Sequence, residues 1–232
     1  MHILLTRPIE DSKELIIKLN NLGHKVSHLP VINVVGEEYR DFSEEEFKGI
    51  IFTSSNAVKN LNLKNINKNI QCFCVGSATE KTARINGFQK VYSADGNVSN
   101  LKEIIIQNFN TKNEKLIYVS GEIITTNLDK DLISEGYNVD RIINYKVLPL
   151  ENLDLKFLKE LKSSIPEIVF IYSQNSAKSF LSIIKKYELN DYWMNSNLMC
   201  MGEKTSRVLN EIKWKKIFLF NPGEEEYLLY KI

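Results

Sequence analysis

Six times along the chain a short run of Ile, Val, Leu and Phe gives way to a small polar turn and then to a helical pattern. The junctions are HILLTRPIEDSKELI, IIFTSSNAVKNL, CFCVGSATEKTARI, LIYVSGEIITTNL, IVFIYSQNSAKSF and MCMGEKTSRVL. In each, Ser, Thr, Gly or Pro stands where a strand ends and a helix begins, which suits capping of the first-turn amides. Few folds accommodate such alternation: parallel strands need helical crossovers, and the helices then cover both faces of the sheet. The expected class is α/β, built on doubly wound parallel sheets.

The junctions fall into two ordered sets of three, as an internal duplication would place them. Gly136-Tyr137-Asn138-Val139 repeats Gly23-His24-Lys25-Val26 at an offset of 113, and Ala177 and Leu181 repeat Ala57 and Leu61 at 120. Gly202, Thr205, Lys216 and Ile217 repeat Gly76, Thr79, Lys90 and Val91, each at an offset of 126. Two extended, proline-bearing stretches break the rhythm, LPVINVVGE from Leu29 and RIINYKVLPLE from Arg141. If both cross side by side, the middle of the chain forms one lobe and the two ends together form the other. The expected domains are 1–33 plus 146–232 and an inserted 38–141, joined by hinge strands at 34–37 and 142–145. A chain of 232 residues has room for two compact units of about 100 residues each.

Charge excludes whole classes of partner. Lys and Arg number 30 against 29 Asp and Glu, so no global field draws in nucleic acid or an anionic membrane. The opening segment turns charged at Arg7 and Glu10, too early for the apolar region of a signal peptide, and no later run is apolar enough to span a bilayer. A cytoplasmic location is expected. Cys72, Cys74 and Cys200 read as buried reduced thiols, the first two on one face of a strand. His24 and His28 lie in an extended run where alternation separates them, and no paired CxxC or HExxH occurs, so no metal is expected. GxGxxG, GxxxxGK[ST] and GxSxG are also missing, which disfavours ATP, NAD and a serine triad.

Helix N-termini at the carboxyl ends of parallel strands favour anions. Each contributes roughly 0.3–1 kcal/mol, so several facing one cleft hold a polycarboxylate with few cationic side chains. Hydroxyls of Ser54, Ser55, Ser77, Ser120, Ser173 and Thr205 are further candidate donors, each of which alone also reads as a plain helix cap. From the residues, the expectation is a two-lobed α/β protein with an anion-binding cleft.

Taken in order, LLTRP, FTSSNAV, VGSAT, the VSG turn before EGYNVDRIINYKV, FIYSQNSAKSF and MGEKTSRVL resemble the uroporphyrinogen-III synthase family from Met1 to about Asn221. The resemblance implies two flavodoxin-like lobes on a two-stranded ladder. It also implies cofactor-free conversion of hydroxymethylbilane to uroporphyrinogen III, a lyase reaction of porphyrin and heme biosynthesis in which water is lost and the terminal pyrrole inverted. The substrate carries an acetate and a propionate on every pyrrole. Holding it folded is catalysis by orientation, and excluding water protects the cation left when the hydroxyl departs. By motif, the resemblance assigns substrate contacts to Thr53, Ser54, Gly76, Ser77, Ser173 and Thr205, and Ser55, Ser120, Gly121 and Gly202 of the same turns are further candidate contacts.

The resemblance makes Tyr145 the proton donor to the leaving hydroxyl, or else an aromatic packed across the hinge. Arg7 of the TRP turn either pairs a substrate carboxylate or locks the helix start at Pro8. The family's GPTTA-like block reads GEKTS here, so Lys204 adds a carboxylate contact or Glu203 opposes one, and the acidic ending NPGEEEYLLYKI is short for the family. A monomer is expected, with transient contact to the upstream bilane-forming enzyme. The competing readings are a catalytically silent tetrapyrrole binder, a binder of some other small anion and a regulatory flavodoxin-like module.

Overall fold

The runs HILL, GIIF and IVFI are wholly buried strands in the structure, a computed structural model that describes all residues but 41, 43–45, 96, 111, 222 and 230–232, and at 226 and 228 the backbone alone. A strand buried at every residue is covered on both faces. In chain order come β1 (His2–Leu5), α1 (Ile9–Asn21), β2 (Lys25–His28), β3 (Ile32–Gly36), β4 (Gly49–Phe52), α2 (Ser55–Lys59) and β5 (Gln71–Val75). There follow α3 (Ser77–Ile85), β6 (Lys90–Ala94), α4 (Val98–Asn108), β7 (Lys115–Gly121), α5 (Leu128–Ser134) and β8 (Asn138–Pro149). The remainder is α6 (Leu155–Ser163), β9 (Ile168–Ile171), α7 (Gln174–Lys186), a 3₁₀ turn Asn190–Asn195, β10 (Asn197–Met201), α8 (Glu203–Val208), β11 (Lys216–Phe220) and α9 (Glu225–Leu229).

The chain divides into two units, residues 1–33 with 148–232, and residues 34–147. The first unit's sheet has the order β11-β10-β9-β1-β2, with every neighbouring pair parallel. Alternation along its strands fills two cores. Leu4, Val169, Ile171 and Leu198 meet Phe180 and Trp193 on one face, while Ile3, Leu5, Phe170 and Met199 meet Leu19 on the other.

The second unit's sheet has the order β3-β8-β7-β4-β5-β6. Its strands from β8 to β6 are parallel, and they repeat the first unit's order with β7 and β8 in the places of β1 and β2 and β4, β5 and β6 in those of β9, β10 and β11. The offsets seen in the sequence therefore join topologically equivalent turns. Gly76 and Gly202 both precede a helix at almost the same backbone angles, φ 77° and ψ 152° against φ 82° and ψ 155°. L side chains avoid that region.

β3 is the extra strand, and it runs antiparallel to β8: the N–H of Leu150 donates to the Val31 carbonyl, and that of Glu37 to the Asn144 carbonyl. Along these two strands the chain passes from one unit to the other, between residues 33 and 34 and between 147 and 148. Tyr145 thus belongs to the second unit, where it is buried with Ile50, Phe52 and Ile142.

One junction differs from its expected form. After β7 the helix does not begin at once: residues 122–127 intervene before α5. Arg141 of β8 ties this segment down: its Nε donates to Ser120 Oγ at 2.8 Å and its Nη2 donates to the carbonyls of Gly121 and Glu122 at 2.8 and 3.0 Å. These bonds hold the backbone of Gly121 and Glu122 against β8, and the chain leaves the strand as a loop.

Candidate active site

Because β4, β5 and β7 are parallel, the turns that follow them leave the same edge of the second unit's sheet. A recess of about 170 Å³ opens there, lined by Thr53, Ser54, Tyr118, Gly121, Tyr145 and the loop residues Ile123 to Thr126, with Val98 beside them. Ser54 caps α2 by accepting from the Asn56 N–H at 3.2 Å, and Ser55 is that helix's first residue. Gly76 caps and Ser77 starts α3, and Ser77 is exposed.

Tyr145 reaches the recess through an irregularity in the sheet. The register of β7 on β8 shifts between Ser120, opposite Ile143, and Gly121, opposite Tyr145, which leaves Asn144 as an extra residue. Ile142 and Tyr145, three apart, therefore pack into one core, which strict alternation forbids. Asn144 is buried, and its Nδ2 donates to the Ala57 carbonyl at 2.8 Å. Gly121 completes the seat: a Cβ there would lie 2.8 Å from Tyr145 Cζ and 3.0 Å from its hydroxyl oxygen. Only a residue without a side chain allows that ring so near.

The Ser120 hydroxyl is not presented outward. It is buried, accepts from Arg141 and donates to the Gly121 carbonyl at 3.1 Å, so it fastens the loop. Beneath the recess Thr53 Oγ1 and the Tyr118 hydroxyl are hydrogen bonded at 3.0 Å. Burial, above all, pushes the Tyr118 phenol up from its ordinary pKa. Tyr118 and Arg141 were not singled out in the sequence. The signal for Tyr118 was a phenol within the aliphatic strand KLIYVSG, since a buried tyrosine needs a hydrogen-bond partner.

The first unit's carboxyl edge carries the other sequence-derived candidates. Arg7 follows β1 with its guanidinium carbon 3.7 Å from the centre of the Tyr172 ring and Nη1 3.6 Å from Glu225 Oε1 of α9. Its carbonyl meets His28 Nε2 at 2.7 Å and accepts from Ser12 Oγ at 3.3 Å, which fixes the start of α1. Ser173 caps α7, accepting from the Ser176 N–H at 3.1 Å. Gly202 is exposed at the start of α8, whereas the buried Thr205 donates to the Met201 carbonyl at 3.0 Å and is occupied. Glu203 pairs with Arg207 at 2.8 Å along the helix, and Lys204 is exposed. Of the acidic ending, residues 222 and 230–232 lie outside the described residues.

Cys72 and Cys74 are buried free thiols with sulfurs 3.7 Å apart, and Cys200 is also buried and free. Among the described residues no three His, Cys, Asp or Glu side chains gather as metal ligands, and no helix is long and apolar enough to cross a membrane.

Comparison with known proteins follows the same line. The chain is similar in fold to a uroporphyrinogen-III synthetase from Helicobacter pylori, at 20% identity and a TM-score of 0.65 over 100% of this chain and 99% of that one. It is also similar to a mutant uroporphyrinogen III synthase from the extremely thermophilic bacterium Thermus thermophilus, at 12% identity and a TM-score of 0.59 over 100% and 98%. No curated sequence matches. The profile of the family described as uroporphyrinogen-III synthase HemD matches residues 13–220, nearly the whole chain and all but the first of the six junctions entire. By that match, the chain belongs to the uroporphyrinogen-III synthase family.

Proposed function

We propose that this chain performs the reaction of its family, closing hydroxymethylbilane to uroporphyrinogen III with loss of water and inversion of the terminal pyrrole. The observation that carries this reading is the recess at the second unit's carboxyl edge, where Tyr145, Thr53 and the N-terminus of α2 meet in a chain matched by the family profile over residues 13–220. Tyr145 is the donor to the departing hydroxyl. A phenol within the recess gives a hydrogen bond as that oxygen leaves, and proton transfer of this kind is worth roughly a hundredfold or more.

The substrate's carboxylates are received by backbone N–H groups at the helix starts and by the hydroxyls of Thr53, Ser54, Ser55, Ser77 and Ser173. Gly76, Gly121 and Gly202 keep side chains out of those turns, and Arg7 supplies one cation. Ser120 and Thr205 act from behind, by holding the turns. In this reading the chain works without a cofactor, as a cytoplasmic monomer, and meets the bilane-forming enzyme only transiently.

The test is a coupled assay in which the purified protein meets freshly generated hydroxymethylbilane and the product isomers are separated by chromatography. Isomer III in excess of the spontaneous isomer I is the expected result. Isomer I alone, at the uncatalysed rate, would reduce the protein to a binder.

A further inference from the structure

A hydrogen bond between two hydroxyls leaves one proton over, and the burial of the pair decides where it goes. The Tyr118 side chain lies in the inner strand β7 and is 1% exposed, packed among Ile51, Phe73 and Leu128. Among the described residues its hydroxyl has one hydrogen-bond partner, Thr53 Oγ1 at 3.0 Å. If Thr53 donated, the proton of a phenol only 1% exposed would be left without a protein acceptor, at a cost of roughly 1–3 kcal/mol. The phenol therefore donates. Thr53, which is only half-buried and lines the recess, keeps its own proton for whatever enters.

We propose that Tyr118 is a positioning residue, whose phenol holds Thr53 as a hydrogen-bond donor to a carboxylate side arm of the ligand in this recess. The inference rests on the synthase reading and narrows it. At about 170 Å³ the recess is smaller than the roughly 300–1,000 Å³ that encloses a drug-sized molecule, so it admits an arm of a larger ligand. The raised pKa of Tyr118, caused first by burial, keeps the phenol protonated as a donor well above neutral pH. A carboxylate only accepts, so it matches a hydroxyl whose lone pair is already engaged from behind.

A contact made equally to substrate and transition state changes KM and leaves kcat alone. Tyr118→Phe is expected to raise the KM for hydroxymethylbilane roughly threefold to tenfold with kcat unchanged. Thr53→Val should do the same, the double variant should be no worse than either single one, and Thr53→Ser should recover most of the loss. A merely structural Tyr118 would lower thermal stability without moving KM. Unchanged KM in folded Tyr118→Phe, or single effects that multiply in the double variant, overturns the proposal while leaving isomer III formation by the parent intact.

If the parent makes only isomer I, the synthase reading fails separately. Affinity for the octacarboxylate uroporphyrin III, followed by its fluorescence, then decides: equal, non-multiplying weakening in Tyr118→Phe and Thr53→Val supports the pair. Equal affinity in all variants, or no binding by the parent, overturns it.

Discussion

The two units carry the same strand order, yet their carboxyl edges differ. At the duplication's offset Arg7 of the first unit corresponds to Ser120 of the second. After Arg7 the chain enters α1 at Ile9, and its guanidinium lies over Tyr172 and against Glu225 of α9. After Ser120 the guanidinium comes from β8 instead and donates to the carbonyls of Gly121 and Glu122, α5 begins only at Leu128, and a loop lines a recess. One scaffold thus yields a turn closed by its own C-terminal helix and a turn held open by a neighbouring strand. The repeated strands set the topology, and the two turns differ in which guanidinium reaches them.

The largest expected effect breaks that comparison at the recess. Tyr145→Phe should lower kcat roughly a hundredfold with little change in KM, since the general acid acts as the hydroxyl leaves. Steady-state assays with separation of isomers I and III check this, and an unchanged kcat would leave Tyr145 a packing residue. Next, Gly121→Ala places a methyl 2.8 Å from the Tyr145 ring. Overpacking of that kind costs roughly 1–3 kcal/mol, so Tm falls by several degrees and activity falls with it as the ring is displaced. A melting curve and a turnover assay on one preparation show whether the two losses go together.

A third pair sharpens what the units share. Gly76→Ala and Gly202→Ala each force a Cβ into the same positive-φ backbone, and at neither does anything lie within 4 Å of that atom. Both should lose about 1–3 kcal/mol from backbone strain alone, by similar amounts. Denaturant unfolding of the two variants tests it, and a large inequality would mean that the turns are not equivalent.

The smallest effect is confined to the first unit, which holds all three histidines. Burial, the largest cause, lowers the His2 pKa below the ordinary 6.5, and Lys25 adds to it. The unfolded chain therefore takes up the proton first. Stability is full above the ordinary histidine value and declines as pH falls through it toward the folded value. His2→Asn should flatten that part of the Tm-against-pH curve.

Much of the fold was legible in the residues because strand and helix periodicity are local, and because the duplication read each signal twice. HILL, GIIF and IVFI are buried strands, and the turns paired by offset are equivalent in topology. The turns that carry the candidate residues were legible as the carboxyl ends of parallel strands in each unit's own sheet. The state of each hydroxyl was not: Ser54 and Ser173 cap helices, while Ser120 and Thr205 look alike in sequence but spend their protons on backbone carbonyls.

The sequence by itself determined the α/β class, the parallel strands and the places of the turns, since these follow from the order of apolar periods and from caps acting within a few residues. Only the tertiary structure decided the recess. Its Tyr145 depends on an extra residue at Asn144 that slips the register of β8 by one, its loop is tied by Arg141 to the carbonyls of Gly121 and Glu122, and its polar floor is Tyr118 meeting Thr53 from 65 positions away. Each joins segments far apart in the sequence, and a local pattern does not say which distant segments meet.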